Sequence, residues 1–114
     1  MKKDDAVYLR HMLECTKRIE ENSAKGREGF NASHTLQDAI LRNLQTLAES
    51  AQRLSTDLKA TAPQVAWSKI AAFRSVLVHD YLGIDLELVW QIVKHDLPDL
   101  KNALSAMLDR RTSS

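Results

Sequence analysis

The 114-residue sequence has little of what a β-rich, disulfide-bonded or membrane-spanning protein needs. Three glycines and two prolines are too few for the many turns of a β-sheet fold. The single cysteine, Cys15, permits no internal disulfide and is typical of a reducing compartment. No apolar run approaches the ~20 residues that span a bilayer, and the first residues lack the apolar core of a signal peptide. We therefore expect a cytoplasmic chain with no membrane partner.

An excess of charge of one sign is also missing. The chain carries 16 Lys and Arg against 15 Asp and Glu, a net charge of +1. Since a strongly basic face is the usual mark of nucleic-acid binding, the overall charge neither argues for RNA nor excludes it. The length predicts a single domain over residues 1–114. A core of that size is small, so a partner chain could add to its stability.

Helical periodicity is what the sequence has in quantity. Tyr8, Met12, Cys15 and Ile19 follow the spacing i, i+4, i+7, i+11 and predict a helix over residues 4 to about 22. The glycine-containing stretch SAKGREGFNAS predicts a loop after it. Apolar residues at steps of three or four then predict one long second helix over residues 36–58. Thr35 and Asp38 have the spacing of a capping box at its start.

The second half of the chain predicts two further helical segments. Residues 65 to about 81 are apolar nearly all round, which indicates burial on several sides or a dimer seam. Gly83 suits the left-handed turn that ends a helix, and Asp85 is placed to cap the next one, which Pro98 should split or restart. Without repeats or convincing strands, the pattern predicts an all-α, up-and-down bundle of four to five helices.

Most enzyme signatures are absent. There is no glycine-rich phosphate loop or dinucleotide fingerprint, so we expect no cofactor. The four histidines are scattered, with no HExxH or paired-cysteine pattern, and we expect no metal site. Cys15 lies on an apolar helical stripe, which predicts a buried and inert thiol rather than a nucleophile.

Three polar side chains interrupt the third helix: Arg74, His79 and Tyr81. At ~100° per residue, Arg74 and Tyr81 lie within about 20° of each other, whereas His79 lies about 140° from Arg74. One straight helix therefore does not aim the arginine and the histidine at one point. The arginine could wrap around the helix, the helix could unwind before Gly83, or two chains could pool their motifs.

Arginine and histidine together suit phosphodiester chemistry. An arginine offers a planar fork of donors to a phosphate, and a histidine moves protons near neutral pH. The reaction favoured is a metal-independent cleavage of RNA, in which the 2′-hydroxyl attacks. An Arg-x4-His spacing near a helix end is common by chance, and the spacing alone favours a structural role. In that case Arg74 pairs with Asp80 or Asp85, His79 caps terminal carbonyls and Tyr81 packs.

The segment WSKIAAFRSVLVHDYLGID resembles the signature of the HepT-like branch of the HEPN superfamily: Arg, four residues, His, one residue, Tyr, after a tryptophan-led helix. DDAVYLRHMLECTKRIEE is similar to the family's first helix and FNASHTLQDAILRNLQTLAESAQRLS to its second. DLELVWQIVKHDLPDL resembles its fourth. The resemblance runs from about residue 4 to residue 108.

The resemblance implies the toxin of a type VII-like HEPN/MNT toxin–antitoxin system. Such a toxin is a homodimeric, helical endoribonuclease acting on tRNA or mRNA, with two Arg–His motifs beside a cleft. Its partner is a minimal nucleotidyltransferase of the MNT type, which silences the toxin by transferring AMP to the motif tyrosine. On this resemblance Arg74 stabilises phosphate, His79 is the acid/base group and Tyr81 accepts AMP.

Two positions depart from the family pattern. Ser75 follows the arginine where a larger polar residue such as asparagine is usual. The triplet Ala48, Glu49 and Ser50 stands where Gly-Glu-Ala is common. Neither change removes the Arg–His pair, so we expect activity to survive.

A polar flank of the second helix supplies supporting candidates. Asp38, Arg42 and Glu49 could line the cleft or hold the motif in position, together with Ser75 and Asp80. The alternative for the flank is a solvated helix face with an Asp38–Arg42 pair at i, i+4.

A second class of function is a non-catalytic adaptor. In that reading the bundle is a substrate-binding subunit of a minimal nucleotidyltransferase, and Tyr81 is only a docking or modification point. A pure adaptor has no need of both Arg74 and His79, so the intact pair favours the ribonuclease.

Overall fold

The computed structural model describes residues 3–78 and 85–112, with the backbone alone at 3, 75–78 and 111–112. Within this part of the chain the structure is helical and contains no strand, which confirms the predicted all-α class. The helices are α1 (Lys3–Ser23), α2 (Gly26–Ala32), α3 (His34–Arg53), α4 (Thr56–Ala60), α5 (Trp67–Val78), α6 (Leu86–Gln91) and α7 (Leu97–Thr112), with a π-helical turn (Ile92–Asp96) between the last two. None of the helices described is both long and apolar enough to cross a membrane.

The centre of the bundle is the pair α1 and α3. These helices pack on each other more extensively than any other pair, with α5 against α3 and α7 against α1. Their apolar stripes are fully buried, as the periodicity predicted, at Leu9, Met12, Ile19, Leu44 and Leu47. Burial of one apolar stripe per helix is what stabilises a bundle of this size. The arrangement leaves α5 and α7 on the outside of the central pair.

The predicted loop after α1 is wrong in part, because residues 26–32 form the short helix α2. Gly26 has φ of +80°, a left-handed conformation that turns the chain between α1 and α2. Phe30 is fully buried, and its ring centroid lies 5.5 Å from that of Trp90. This aromatic contact holds the segment against α6, and loop-type residues around one buried ring do not reveal it in the sequence.

The predicted second helix is also shorter and broken. Its cap is Ser33 rather than Thr35, and the Ser33 hydroxyl accepts a hydrogen bond from the Leu36 N–H at 3.1 Å. The helix ends at Arg53 because Leu54 and Ser55 adopt extended conformations, after which Ser55 caps α4. The apolar steps continue across this break, so periodicity alone joined two helices into one.

The side chain of Asp5 accounts for the break between α3 and α4. Its carboxylate is buried and accepts hydrogen bonds from the Ser55 N–H at 2.8 Å and the Ser55 hydroxyl at 2.7 Å. A buried charge is retained only where donors satisfy it, and the turn at Ser55 presents two of them. The first turn of α1 is thereby fastened to the junction of α3 and α4. From the sequence alone, Asp5 is only an acidic residue in the first turn of a helix, where the helix dipole favours it.

The last helices follow the sequence closely, with one difference. Asp85 caps α6 as predicted, since its Oδ1 accepts from the Leu88 N–H at 3.0 Å. Pro98 restarts the α-helix as predicted, since α7 begins at Leu97, but it does not interrupt the run of helical turns. The π-helical turn leads directly into α7, and Pro98 lies in the first turn of α7, where a missing N–H is best tolerated.

Candidate active site

The N-terminal end of α5 is fixed to the turn before it. The indole Nε1 of Trp67 donates to two backbone carbonyls, those of Lys59 and Ala62, both at 3.2 Å. Ile70 and Phe73, further along α5, are buried in the core. These contacts define which side of α5 faces inward and therefore where the next residue, Arg74, can point.

Arg74 is exposed on α5. It follows buried Phe73 and lies about 40° around the helix from Ile70, at the edge of the anchored face. It makes no hydrogen bond, ion pair or cation–π contact with any residue in the described ranges. The alternative pairing of Arg74 with Asp85 does not form, since no ion pair joins these two described residues. Among the described residues, the Arg74 guanidinium therefore has no hydrogen-bond or ion-pair partner.

The other motif groups lie outside the described residues. The structure does not describe His79, Asp80, Tyr81, Gly83 or the side chain of Ser75. Their roles stay predictions. What the structure adds is that α5 is α-helical through Val78, so any unwinding that would aim histidine and arginine at one point begins after that residue.

The polar flank of α3 is solvated. Asp38, Arg42 and Glu49 are all exposed. The i, i+4 pair between Asp38 and Arg42 does not form among the ion pairs of the described residues. Exposed charges on the helix that packs against α5 are compatible with a supporting role, but no ion pair joins any of the three to Arg74.

The departure at Ala48–Ser50 has a structural counterpart. Ala48 is fully buried and Ser50 nearly so. The Ser50 Oγ lies 3.0 Å from Nδ1 of His11, a residue of α1. The serine hydroxyl therefore has a partner across the α1–α3 interface, where an unpartnered buried hydroxyl would be costly. Sequence patterns gave no signal for this contact, since the two residues are far apart in the chain.

Cys15 is the buried thiol that its position predicted. It is 2% exposed. Burial raises the pKa of the Cys15 thiol, with a smaller lowering by Arg18. A thiol that stays protonated in the core is a poor nucleophile. Separately, no three His, Cys, Asp or Glu side chains within residues 3–78 and 85–112 are grouped so that they could hold a metal ion.

The chain is similar in sequence to known proteins over most of its length. The family model described as "Ribonuclease HepT-like" matches residues 12–107. A Methanocaldococcus jannaschii protein named "Gamma-glutamylcyclotransferase and putative RNase" is 34% identical over 96% of this chain, and the chain spans half of its length. A Thermococcus cleftensis protein named "Probable ribonuclease HepT" is 32% identical over 89% of this chain and 93% of its own length.

A more distant relative is the "mRNA nuclease HepT" of Shewanella oneidensis, 25% identical over 82% of this chain and 87% of its own length. No solved structure matches the chain. The match to the family model covers α1 from Met12 onward, all of α3 and α5, and most of α7. The chain belongs to the HepT-like ribonuclease family.

Proposed function

We propose that this chain is a metal-independent endoribonuclease and the toxin of a HEPN/MNT toxin–antitoxin system. The observation that carries the proposal is Arg74, an exposed arginine without a described partner on a helix whose inner face is fixed by Trp67, Ile70 and Phe73. An arginine that stabilises the fold is normally satisfied by an acidic or carbonyl partner. One that lies at a fixed position with no partner among the described residues is suited to bind an anion, and family membership makes an RNA phosphate the natural anion.

The proposed reaction uses the substrate's own nucleophile. The ribose 2′-hydroxyl attacks the adjacent phosphorus, its proton passes to a base, and the bond from phosphorus to the 5′-oxygen breaks. The products are a 2′,3′-cyclic phosphate and a 5′-hydroxyl. His79 moves the protons, and Arg74 stabilises the negative charge that grows on the phosphate oxygens in the transition state.

A homodimer would resolve the geometry of the motif. Arg74 and His79 lie about 140° apart on one helix, so a single copy does not aim both at one phosphate. Pooling the motifs of two copies would place the arginine of one chain beside the histidine of the other. The regular α-helix through Val78 supports pooling over an early unwinding of α5.

Tyr81 is the proposed point of control by the MNT-type nucleotidyltransferase. Transfer of AMP from ATP to its hydroxyl forms a phosphodiester and releases pyrophosphate. The added group is bulky and anionic, so it would repel an RNA phosphate beside Arg74. Co-expression with the nucleotidyltransferase should add the mass of one adenylyl group, that is AMP less one water, to this chain. An equal gain by the Tyr81→Phe variant would assign the acceptor to another residue.

The activity is tested with the purified protein and a defined RNA in the presence of EDTA. Cleavage should persist with EDTA, leave a cyclic phosphate, and stop when a single 2′-deoxynucleotide replaces the ribose at the cut. His79→Ala should lose cleavage. His34→Ala, which removes an exposed histidine at the start of α3, is the matched control and should retain it. Intact RNA at micromolar wild-type protein, with a stable nucleotidyltransferase complex, would instead support the adaptor.

A further inference from the structure

A pocket of about 280 Å³ lies between the start of α1 and the junction of α3 and α4. It is lined by Asp4, Asp5, Tyr8, Arg53 and Ser55. Pockets for drug-sized ligands measure ~300–1,000 Å³, so this one suits a smaller group, of the size of a single nucleobase. The lining is polar and aromatic and contains none of the motif residues, which makes the pocket separate from the candidate active site.

Tyr8 and Arg53 give the pocket an aromatic ring and a guanidinium group. The Cζ atom of Arg53 lies 6.0 Å from the centroid of the Tyr8 ring. Tyr8 is half-buried, whereas Arg53 is exposed and forms no ion pair within the described ranges. A base stacked between two flat groups needs about 6.8 Å, twice the ~3.4 Å spacing of stacked bases, so the exposed arginine has to move by only about 1 Å. Aromatic rings and guanidinium planes are the groups on which unpaired RNA bases stack.

The two carboxylates of the pocket differ in what they already bind. Asp5 is buried and accepts two hydrogen bonds from Ser55, so it serves the fold. Asp4 is exposed and has no hydrogen bond or ion pair with the residues that the structure describes. An ionised carboxylate accepts hydrogen bonds and donates none, so Asp4 offers the pocket two acceptor oxygens side by side.

Two adjacent acceptors select one of the four RNA bases. Guanine has two adjacent donors, N1–H and the 2-amino group, on its base-pairing edge, whereas adenine, cytosine and uracil each have one donor beside an acceptor. Hydrogen bonds to an ionised acceptor are also roughly twice as strong as neutral ones. We propose that this pocket binds an unpaired guanine of the RNA, with Asp4 reading its base-pairing edge and Tyr8 stacking on its face, an assignment that rests on the proposed function of the chain.

The helix α4 connects the pocket with α5. Ser55, in the pocket, caps the start of α4. At the other end of α4, the indole of Trp67 donates to the carbonyls of Lys59 and Ala62. Arg74 lies two turns, about 10 Å, beyond Trp67 and within about 20° of it around α5. The arginine is therefore on the same side of α5 as the indole that contacts α4, and one RNA strand is long enough to reach both Arg74 and the pocket.

The choice of base is tested by binding, with RNA that is methylated at every 2′-oxygen and so has no hydroxyl to attack. A strand of uridines with one guanosine should bind the wild-type protein about 10-fold more tightly in fluorescence anisotropy than the same strand with inosine there. The reason is that inosine lacks the 2-amino donor to the carboxylate. Equal affinities for the two strands would overturn the proposal.

Free GMP separates a base of the RNA from a free nucleotide. It should bind at least about 10-fold more weakly than the guanosine strand, because it lacks the phosphate contacts of a chain. An affinity equal to that of the strand would assign the pocket to a free nucleotide and contradict the proposal.

Exchange of Asp4 tests which residue reads the base. Asparagine presents one acceptor and one donor, the pattern that matches adenine. Asp4→Asn should therefore reverse the preference and bind a single-adenosine strand more tightly than the single-guanosine strand. Asp57→Asn, exposed in the first turn of α4 and outside the pocket, is the matched control and should keep the preference for guanosine. An unchanged preference in a folded Asp4→Asn protein would remove Asp4 from this role.

Tyr8 should affect the strength of binding rather than the choice of base. Tyr8→Leu should weaken binding of the guanosine strand by about 10-fold, and Tyr8→Phe, which keeps the ring, should not. Equal affinities of the two variants would exclude stacking on Tyr8. Cleavage is measured separately on unmodified RNA. A protein that cuts RNA without preferring guanosine in the binding assay would keep the proposed function and lose this pocket, whereas one that prefers guanosine without cutting would do the reverse.

Discussion

Asp5 and Arg74 are charged residues that the fold treats in opposite ways. Asp5 is buried in the first turn of α1 and accepts two hydrogen bonds from Ser55, at 2.7 and 2.8 Å. Arg74 is exposed on α5 and has no partner within the described part of the chain. The fold satisfies the first charge with hydrogen bonds and gives the second no partner among the described residues.

The difference separates a structural charge from a candidate functional one. A buried carboxylate persists only if its donors are in place, so Asp5 and Ser55 depend on each other. An exposed guanidinium contributes little to folding. Loss of Asp5 should therefore change stability, whereas loss of Arg74 should change activity, and each substitution below tests one side of that contrast.

The largest expected effect belongs to Arg74. Arg74→Ala should lower RNA cleavage by about 10²- to 10³-fold, the usual cost of removing a group that stabilises transition-state charge. Its free energy of unfolding should stay within about 0.5 kcal/mol of wild type. Arg74→Lys should recover part of the rate, because it keeps the charge and loses the planar fork. Cleavage assays and urea unfolding measure the two quantities.

The matched control for Arg74 is Arg10→Ala, which removes an exposed arginine from α1 and should leave cleavage unchanged. An equal loss of rate in both variants would mean that the effect is general attraction of RNA to positive charge. Normal cleavage by a folded Arg74→Ala protein would remove Arg74 from the proposed site.

Asp5 should give the opposite result. Asp5→Ala leaves the N–H and the hydroxyl of Ser55 without their acceptor, and should lower the free energy of unfolding by about 2–4 kcal/mol. Asp4→Ala, one residue earlier and exposed, loses only a favourable charge at the helix N-terminus and should cost about 0.5 kcal/mol. Equal stabilities for the two variants in urea unfolding would contradict the role given to Asp5.

The smallest effect is expected from Cys15, a buried group with a pKa raised by burial. The folded pKa lies above the unfolded one, so the stability linked to the protonated thiol is present below the unfolded pKa and lost as pH rises through the folded value. Wild type should therefore lose stability with alkaline pH more steeply than Cys15→Ala. Unfolding free energies of both proteins measured from neutral to alkaline pH give the slopes; parallel slopes would show that the thiol does not titrate as argued.

Much of the fold was predictable because helical periodicity is local. The stripes of α1 and α3, the cap at Asp85 and the buried thiol all follow from residues a few positions apart. The errors came where a distant residue decides the local backbone. Asp5 binds Ser55, fifty residues later, where the helix is interrupted. Trp90 packs on Phe30 and holds a helix in a segment whose composition is that of a loop.

The sequence predicted which residues form the candidate site but not what surrounds them. Helix position and family resemblance selected Arg74, while its exposure and lack of a described partner required the packing of α5 on α3. His79 and Tyr81 remain predictions from the sequence. The contact between Ser50 and His11 had no sequence signal, because hydrogen bonding across two helices depends on their relative rotation.

The sequence by itself determined the all-α class, most of the helices and the family, since these depend on patterns within single segments. Only the tertiary structure decided which of the described charged side chains have partners. Asp5 accepts from Ser55 and Asp96 pairs with Lys69, whereas Arg74 and Asp99 form no ion pair among the described residues. The reason is physical: a side chain's solvation and partners depend on elements far away in the chain, which come together only when the helices pack.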